Sequence, residues 1–239
     1  MERELIRTEK LTIAGEMAAG LAHEIRNPLA IIRGFIQLYR EGKEGRKRNN
    51  YEIIINEIDR VNHFINDLLN IANPKLEEKL ENTNLVNVLE NILTLQTSQI
   101  NKKGITINKQ LGEIPTIYID PNEVQQVLIN IIQNAIEAMD SGGTLTIQTK
   151  HLATEDKLTV EIKDTGIGME ENTLKKLGTP FYTTKKTGTG LGLTMSFRLI
   201  EEMKGTVCVS SKRTKGSKFT ITLPVVKDTK TETTIRPLA

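Results

Sequence analysis

Leu21-Ala22-His23-Glu24-Ile25-Arg26-Asn27-Pro28-Leu29 places an imidazole, a carboxylate and an amide within little more than one helical turn. A neutral imidazole keeps a lone pair near pH 7, so His23 is a candidate nucleophile; the plainer alternative is a solvated surface histidine. Four later segments have the chemistry of a nucleotide site. Asn130 and Asn134 are four apart, on one face of any helix that carries them. Neutral amide oxygens suit Mg2+, which usually also keeps waters and phosphate oxygens; the alternative is a polar helix face. Asp164-Thr-Gly166-Ile-Gly168-Met169 follows a strand-like run. An aspartate there can accept from an exocyclic amine, and the glycines let the backbone turn tightly against a flat ring. Pro180-Phe-Tyr-Thr-Thr184-Lys185 offers aromatic rings for a hinge or lid, with hydroxyls and a cation for phosphate. Gly188-Thr-Gly190-Leu191-Gly192-Leu193 opens a helix, where exposed backbone N–H groups bind anions.

These residues need elements to hold them. Counting about 100° per residue from Met17, the side chains of Met17, Leu21, Ile25, Pro28, Leu29, Ile32, Phe35, Ile36 and Tyr39 fall in an arc of roughly 120°. His23 lies about 180° from the centre of that arc, facing solvent or a partner. Pro28 removes a backbone hydrogen bond and predicts a kink just after His23. Residues 41–50 have no apolar side chain and two glycines, which reads as a loop. Ile54, Ile58, Val61, Ile65, Leu68 and Ala72 then alternate spacings of four and three, which favours shallow-angle helix packing. Asn73-Pro74 ends this second helix. A hairpin with one narrow apolar stripe per helix buries little alone. It predicts a homodimer closing into a four-helix bundle, the alternative being packing on the rest of its own chain.

From residue 84 the pattern changes. A helix is expected over 84–102, a strand of period two over 105–111 and a short strand over 116–119. Asp120 suits an N-cap and Pro121 the first turn of a helix running to about Met139, before Ser141-Gly142-Gly143. Strands over 144–150 and 157–163, a glycine-rich stretch over 164–192, a helix over 191–203 and strands over 206–211 and 218–223 follow. This order predicts an α/β sandwich, with helices on one face of a mostly antiparallel sheet. The expected domains are a hairpin over 1–75, a linker over 76–83 and a second domain over 84–226. A Thr- and charge-rich tail, expected to be disordered, covers 227–239.

Composition narrows the function. The net charge of +2, from 32 basic and 30 acidic residues, gives no electrostatic case for nucleic acid or a membrane surface. No apolar run approaches the roughly 20 residues of a membrane span, and no signal peptide is visible. The single cysteine, Cys208, excludes an intrachain disulfide and fits a reducing compartment. Aromatics are only 4% and Trp is absent, so the cores must be aliphatic. There is no Gly-x4-Gly-Lys-Ser/Thr loop, and the glycines come too late for a dinucleotide βαβ unit. The His-Arg-Asp and Asp-Phe-Gly motifs of protein kinases are also missing.

In their order, these segments resemble the transmitter region of two-component sensor histidine kinases, over about residues 8–224. His23 to Leu29 is similar to the family's H box, and Asn130-Ile-Ile-Gln-Asn-Ala-Ile-Glu-Ala138 to its N box. Asp164 to Gly168 resembles the G1 box, Pro180 to Thr184 the F box and Gly188 to Gly192 the G2 box. Gly216-Ser217-Lys218-Phe219 resembles the family's late glycine motif. The detailed style is similar to kinases of spore-forming Gram-positive bacteria, including the sporulation kinases.

The resemblance implies a HisKA-type dimerisation and phosphotransfer hairpin followed by a GHKL-type ATP-binding domain, with ATP and Mg2+ as cofactors. It implies that Asn134 coordinates Mg2+ with support from Asn130, and that Asp164 binds the adenine amine. Gly166 and Gly168 would shape the adjoining turn. The lid over ATP would run from Gly166 to Gly192 and include Thr184, Lys185, Gly188, Gly190, Leu191 and Gly192. His23 would take the γ-phosphoryl group, Glu24 would orient the ring, and Asn27 would orient a water that dephosphorylates a partner. The implied partners are a response-regulator receiver protein, a second copy of the chain and protein inhibitors of the hairpin, with no nucleic acid and no membrane contact. The implied location is cytoplasmic, as part of a membrane-anchored sensor or as a short soluble kinase. Two other readings are a nucleotide-binding pseudokinase and another GHKL ATPase. The first would have lost His23, Asn134 or Asp164, and all three are present. The second would turn over ATP without becoming a phosphoprotein.

Overall fold

The computed structural model describes residues 79–185 and 188–225 and, before them, residues 25, 28–40, 51, 53–55, 57–58 and 61. The chain divides into two compact units, Met1–Leu76 with Pro180–Gly192, and Glu77–Thr179 with Leu193–Ala239.

In the first unit residues 28–40 are helical, and so are the described residues from 51 to 61. The rings of Tyr39 and Tyr51 stack with centroids 5.2 Å apart and planes at 21°. That contact brings the two helical runs together at Tyr39 and Tyr51. Pro28 is buried, and Ile32, Phe35 and Tyr39 are half-buried. Their spacing of four, three and four is that of a seam between helices. Leu29 and Ile36, on the edge of the same apolar arc, are 50% and 56% exposed. One chain therefore covers only part of the arc. The kink expected just after His23, the sites His23, Glu24 and Asn27, and the tail over 227–239 lie outside the described residues.

The second unit is built from β1 (Glu81–Thr83), α1 (Leu85–Lys102), β2 (Ile105–Leu111), β3 (Ile117–Ile119), α2 (Pro121–Glu137), β4 (Gly143–Leu152), β5 (Lys157–Lys163), α3 (Glu171–Lys175), α4 (Gly192–Glu202), β6 (Thr206–Lys212) and β7 (Gly216–Pro224). Local sequence sets both long helices. Asn84 caps α1 by accepting from the Val86 and Asn87 amides. Asp120 caps α2 by accepting from the Asn122 amide at 2.8 Å, with Pro121 in the first turn. Each helix then presents one apolar stripe, Leu85, Leu89, Ile92, Leu93 and Ile100 on α1, and Val124 to Ile136 on α2.

A five-stranded sheet has the order β2-β4-β5-β7-β6. Leu145, Ile147, Leu158, Val160, Ile162, Phe219, Ile221 and Leu223 are buried with the helix stripes in one core that is aliphatic but for Phe219 among these residues. The alternating positions face away and pair across strands, Gln148 to Gln110 at 2.8 Å and Lys218 to Glu161 at 3.3 Å. This is the expected α/β sandwich, with two differences of detail. β2 and β4 pair in parallel, because β3 and α2 carry the chain back before β4 begins. The polar run expected as a linker ends in β1, which pairs antiparallel with β3 in a separate two-stranded sheet.

Candidate functional site

Helix α2 brings Asn130 and Asn134 onto one face, flanking its buried stripe, and both are half-buried. The Asn134 Nδ2 donates to Asn130 Oδ1 at 3.3 Å, and Asn130 Nδ2 donates to Ser196 Oγ on α4 at 2.8 Å. The two carboxamides are thus ordered by each other and by a neighbouring helix. Amide oxygens held in this way are hard neutral donors that fit Mg2+ when phosphate oxygens complete its shell.

The last turn of α2 connects this pair to the second cluster. The Asn134 carbonyl accepts from the Ala138 amide at 3.0 Å, and the Ala138 carbonyl accepts from the Ile167 amide at 3.0 Å. Ile167 lies in the turn after β5, between Gly166 and Gly168. A Cβ at Gly166 would overlap the Ala138 carbonyl, so the turn can approach the helix end only with glycine there. Gly168 has φ +63° and lies against the Lys212 carbonyl, so a side chain is excluded there too. The β6–β7 turn grips the other side, with the Thr214 amide donating to Ile167 O at 2.6 Å and the Met169 amide to Ser211 Oγ at 2.8 Å.

Asp164 stands at the head of this turn and is only 2% exposed. Its Oδ1 accepts from the Gly166 amide at 2.8 Å and the Ser217 amide at 3.2 Å. Burial pushes its carboxyl above the ordinary value of 3.8, and the backbone N–H groups of Gly166, Ser217 and Asp164 itself only partly offset that. Among the described residues no hydrogen bond is given to Oδ2. A buried carboxylate with one oxygen held by backbone N–H groups and the other without a partner among the described residues is suited to accept from a ligand amine.

The remaining expected residues belong to the segment Pro180–Gly192, which lies in the first unit. Thr184 and Lys185 are exposed, and the Lys185 amide donates to Thr183 Oγ1 at 3.1 Å. Gly190 has φ +70° and lies against the Phe181 backbone, so the segment folds on itself there. Gly188 approaches the Thr183 hydroxyl, Leu191 is fully buried, and Gly192 starts α4.

Two site residues escaped the sequence reading. Ser196 looks like any helical serine, and only its place in line with Leu199 and Ile200 marks it as inward-facing. Ser211 in β6 alternates with exposed residues in the way of an ordinary strand.

Two family models match this chain. Residues 13–77 match the "His Kinase A (phospho-acceptor) domain" and residues 119–227 the "Histidine kinase-, DNA gyrase B-, and HSP90-like ATPase". Sporulation kinase E of Bacillus subtilis is 42% identical over 94% of this chain and 30% of its own length. Sporulation kinase A of the same organism is 41% identical over 93% of this chain and 36% of its own length. The chain thus spans about a third of these curated relatives. Among solved structures, histidine kinase ThkA in complex with response regulator protein TrrA superposes with a TM-score of 0.80 at 30% identity, over 94% of this chain and 66% of that one. The resemblance to sensor and sporulation kinases is borne out, as are the helical hairpin and the α/β ATPase fold. The chain belongs to the sensor histidine kinases, as a segment that joins a phospho-acceptor domain to an ATPase domain.

Proposed function

We propose that the second unit binds ATP and that its γ-phosphoryl group passes first to His23 and then to an aspartate of a receiver-domain protein. The observation that carries this reading is Asp164, a buried carboxylate held by Gly166 and Ser217 at the head of a glycine turn. It accounts for recognition of an adenine amine. Asn130 and Asn134 would hold Mg2+, with Asn134 as the ligand and Asn130 as its support. When bound, Mg2+ would neutralise phosphate charge. The lid residues Thr184, Lys185, Gly188, Gly190, Leu191 and Gly192 would close over the phosphates.

Phosphoryl transfer needs positioning and charge neutralisation more than covalent chemistry from the protein. A lone pair on the His23 ring attacks the γ-phosphorus, the bond to the bridging oxygen breaks, and ADP leaves. Glu24 accepts from the other ring N–H, which fixes the tautomer and stabilises the charge that develops on the ring. A receiver carboxylate then attacks phosphorus and the nitrogen–phosphorus bond breaks. The ThkA complex with its response regulator supports such a partner. Asn27, one turn after His23, would orient a water that hydrolyses the phosphorylated receiver.

The half-covered arc with Leu29 and Ile36 supports a homodimer through the hairpin. Proteins that bind the same hairpin surface would inhibit the kinase. No helix among the described residues is long and apolar enough to cross a membrane. We place the segment in the cytoplasm, where ATP and receiver proteins are found. The test is incubation with γ-labelled ATP, followed by addition of a receiver domain. Acid-labile label on the chain that chases onto the receiver is expected. ATP hydrolysis without a labelled chain would overturn the reading in favour of a plain ATPase.

A further inference from the structure

Ser196 is a polar side chain in an apolar stripe. It is 2% exposed and aligned with Leu199 and Ile200 on the core side of α4. A hydroxyl in such a place destabilises the fold unless it is hydrogen-bonded, and its partner here is the Asn130 amide at 2.8 Å. Alanine would fill the position more simply if packing were the only demand.

The hydrogen bonds also have a direction. Asn134 donates to Asn130 Oδ1, and Asn130 donates through Nδ2 to Ser196 Oγ. With Ser196 accepting, the Asn130 carboxamide must present its oxygen along the helix to Asn134. That oxygen takes a hydrogen from Asn134 Nδ2 and so fixes which end of the Asn134 amide is the acceptor end. Turning one amide over alone would set donor against donor or acceptor against acceptor between Asn130 and Asn134, and in the arrangement of the fold the Ser196 hydroxyl is the acceptor that anchors the Asn130 end. We infer that Ser196 is a positioning residue for the cation site, acting through Asn130 to hold Asn134 oxygen-first. This inference rests on the proposed Mg2+ role of Asn134. It adds that α4, which begins at Gly192 where the glycine-rich segment ends, helps set the orientation of the metal ligand.

Groups that orient a metal ligand through hydrogen bonds typically change metal affinity by about 10- to 100-fold when removed. The test is calorimetric titration of the full chain with ADP, in EDTA and at a series of Mg2+ concentrations. Wild type, Ser196→Ala and Ser196→Thr are compared, with thermal melts to establish folding. The expected result for Ser196→Ala is ADP affinity in EDTA within about twofold of wild type, with the Mg2+ concentration for half-maximal enhancement raised about tenfold. Ser196→Thr keeps the hydroxyl and should restore the Mg2+ response. Equal loss of affinity with and without Mg2+ would show a purely structural role and overturn the inference. So would an unchanged Mg2+ response in a folded Ser196→Ala. A wild-type chain whose ADP affinity ignores Mg2+ would overturn the reading of Asn134 itself, and this inference with it.

Discussion

Asp164 and Ser217 are joined twice: the Asp164 amide donates to the Ser217 carbonyl at 2.9 Å, and the Ser217 amide donates to Asp164 Oδ1 at 3.2 Å. One bond continues the pairing of β5 with β7, and the other aims a side chain. The sheet register therefore sets the direction of the buried carboxylate. A site built on paired strands is held more rigidly than one carried by a loop alone.

The charge on Asp164 should cost stability. Burial raises its pKa in the fold above 3.8, so the folded chain keeps a proton that the unfolded chain has lost. Stability then falls as pH rises from near 3.8 through the raised value, and the full cost stands above it. Asp164→Asn keeps an oxygen for the Gly166 and Ser217 amides and removes the charge. Without nucleotide, the variant should melt higher than wild type at pH 7, with the gap narrowing toward pH 4. Its ATP affinity should fall about tenfold or more, about 1.4 kcal/mol. Calorimetric melts and titrations at both pH values check this, and an unchanged ATP affinity would contradict it.

Gly216 should be intolerant of any side chain. Its φ is +86°, and a Cβ would overlap the Asp164 carbonyl. Gly216→Ala should destabilise the fold by about 2 to 3 kcal/mol, as left-handed strain and a backbone clash coincide. Urea unfolding measures it. ATP binding should weaken in the same variant, since the clash moves Asp164.

These two sites show what was readable in the chain and what was not. Asp120 followed by Pro121 announces its helix through local chemistry, and the folded cap is that residue; Asn84, expected as the first helical residue, is instead the cap of its helix. β5 keeps the predicted bounds because its alternation is strict. β1 carries no signal of a strand in the sequence, since three polar residues have no periodicity. It exists because β3 lies ready to pair with it far along the chain. The five-residue helix α3, inside the glycine-rich stretch, is too short to show an apolar stripe. The parallel pairing of β2 with β4 and the hydroxyl of Ser196 beneath Asn130 depend on long-range packing that no local pattern records.

Lys103 should act as a helix cap from a distance. Its Nζ donates to the Ile136 carbonyl at 3.0 Å, at the negative end of α2. Lys103→Met keeps most of the packing stem and removes that donor. A loss of about 0.5 to 1 kcal/mol is expected in urea unfolding. No loss would mean that water replaces the ammonium there.

Leu29 and Ile36 should hold two chains together. Both are about half exposed, seven residues apart on the edge of the apolar arc. Leu29→Lys with Ile36→Lys should shift the mass measured by light scattering from two chains to one of 26.8 kDa. A wild-type chain that is already monomeric at micromolar concentration would contradict the four-helix bundle.

The central claim is that the ATP site and the early histidine complete one reaction. Wild type, His23→Gln and Asp164→Asn should be incubated in parallel with γ-labelled ATP, and ADP affinity measured for each. Wild type should take acid-labile label. His23→Gln should bind ADP as wild type does and take none. Asp164→Asn should fold, bind poorly and take none. Acid-labile label persisting on His23→Gln would contradict the account.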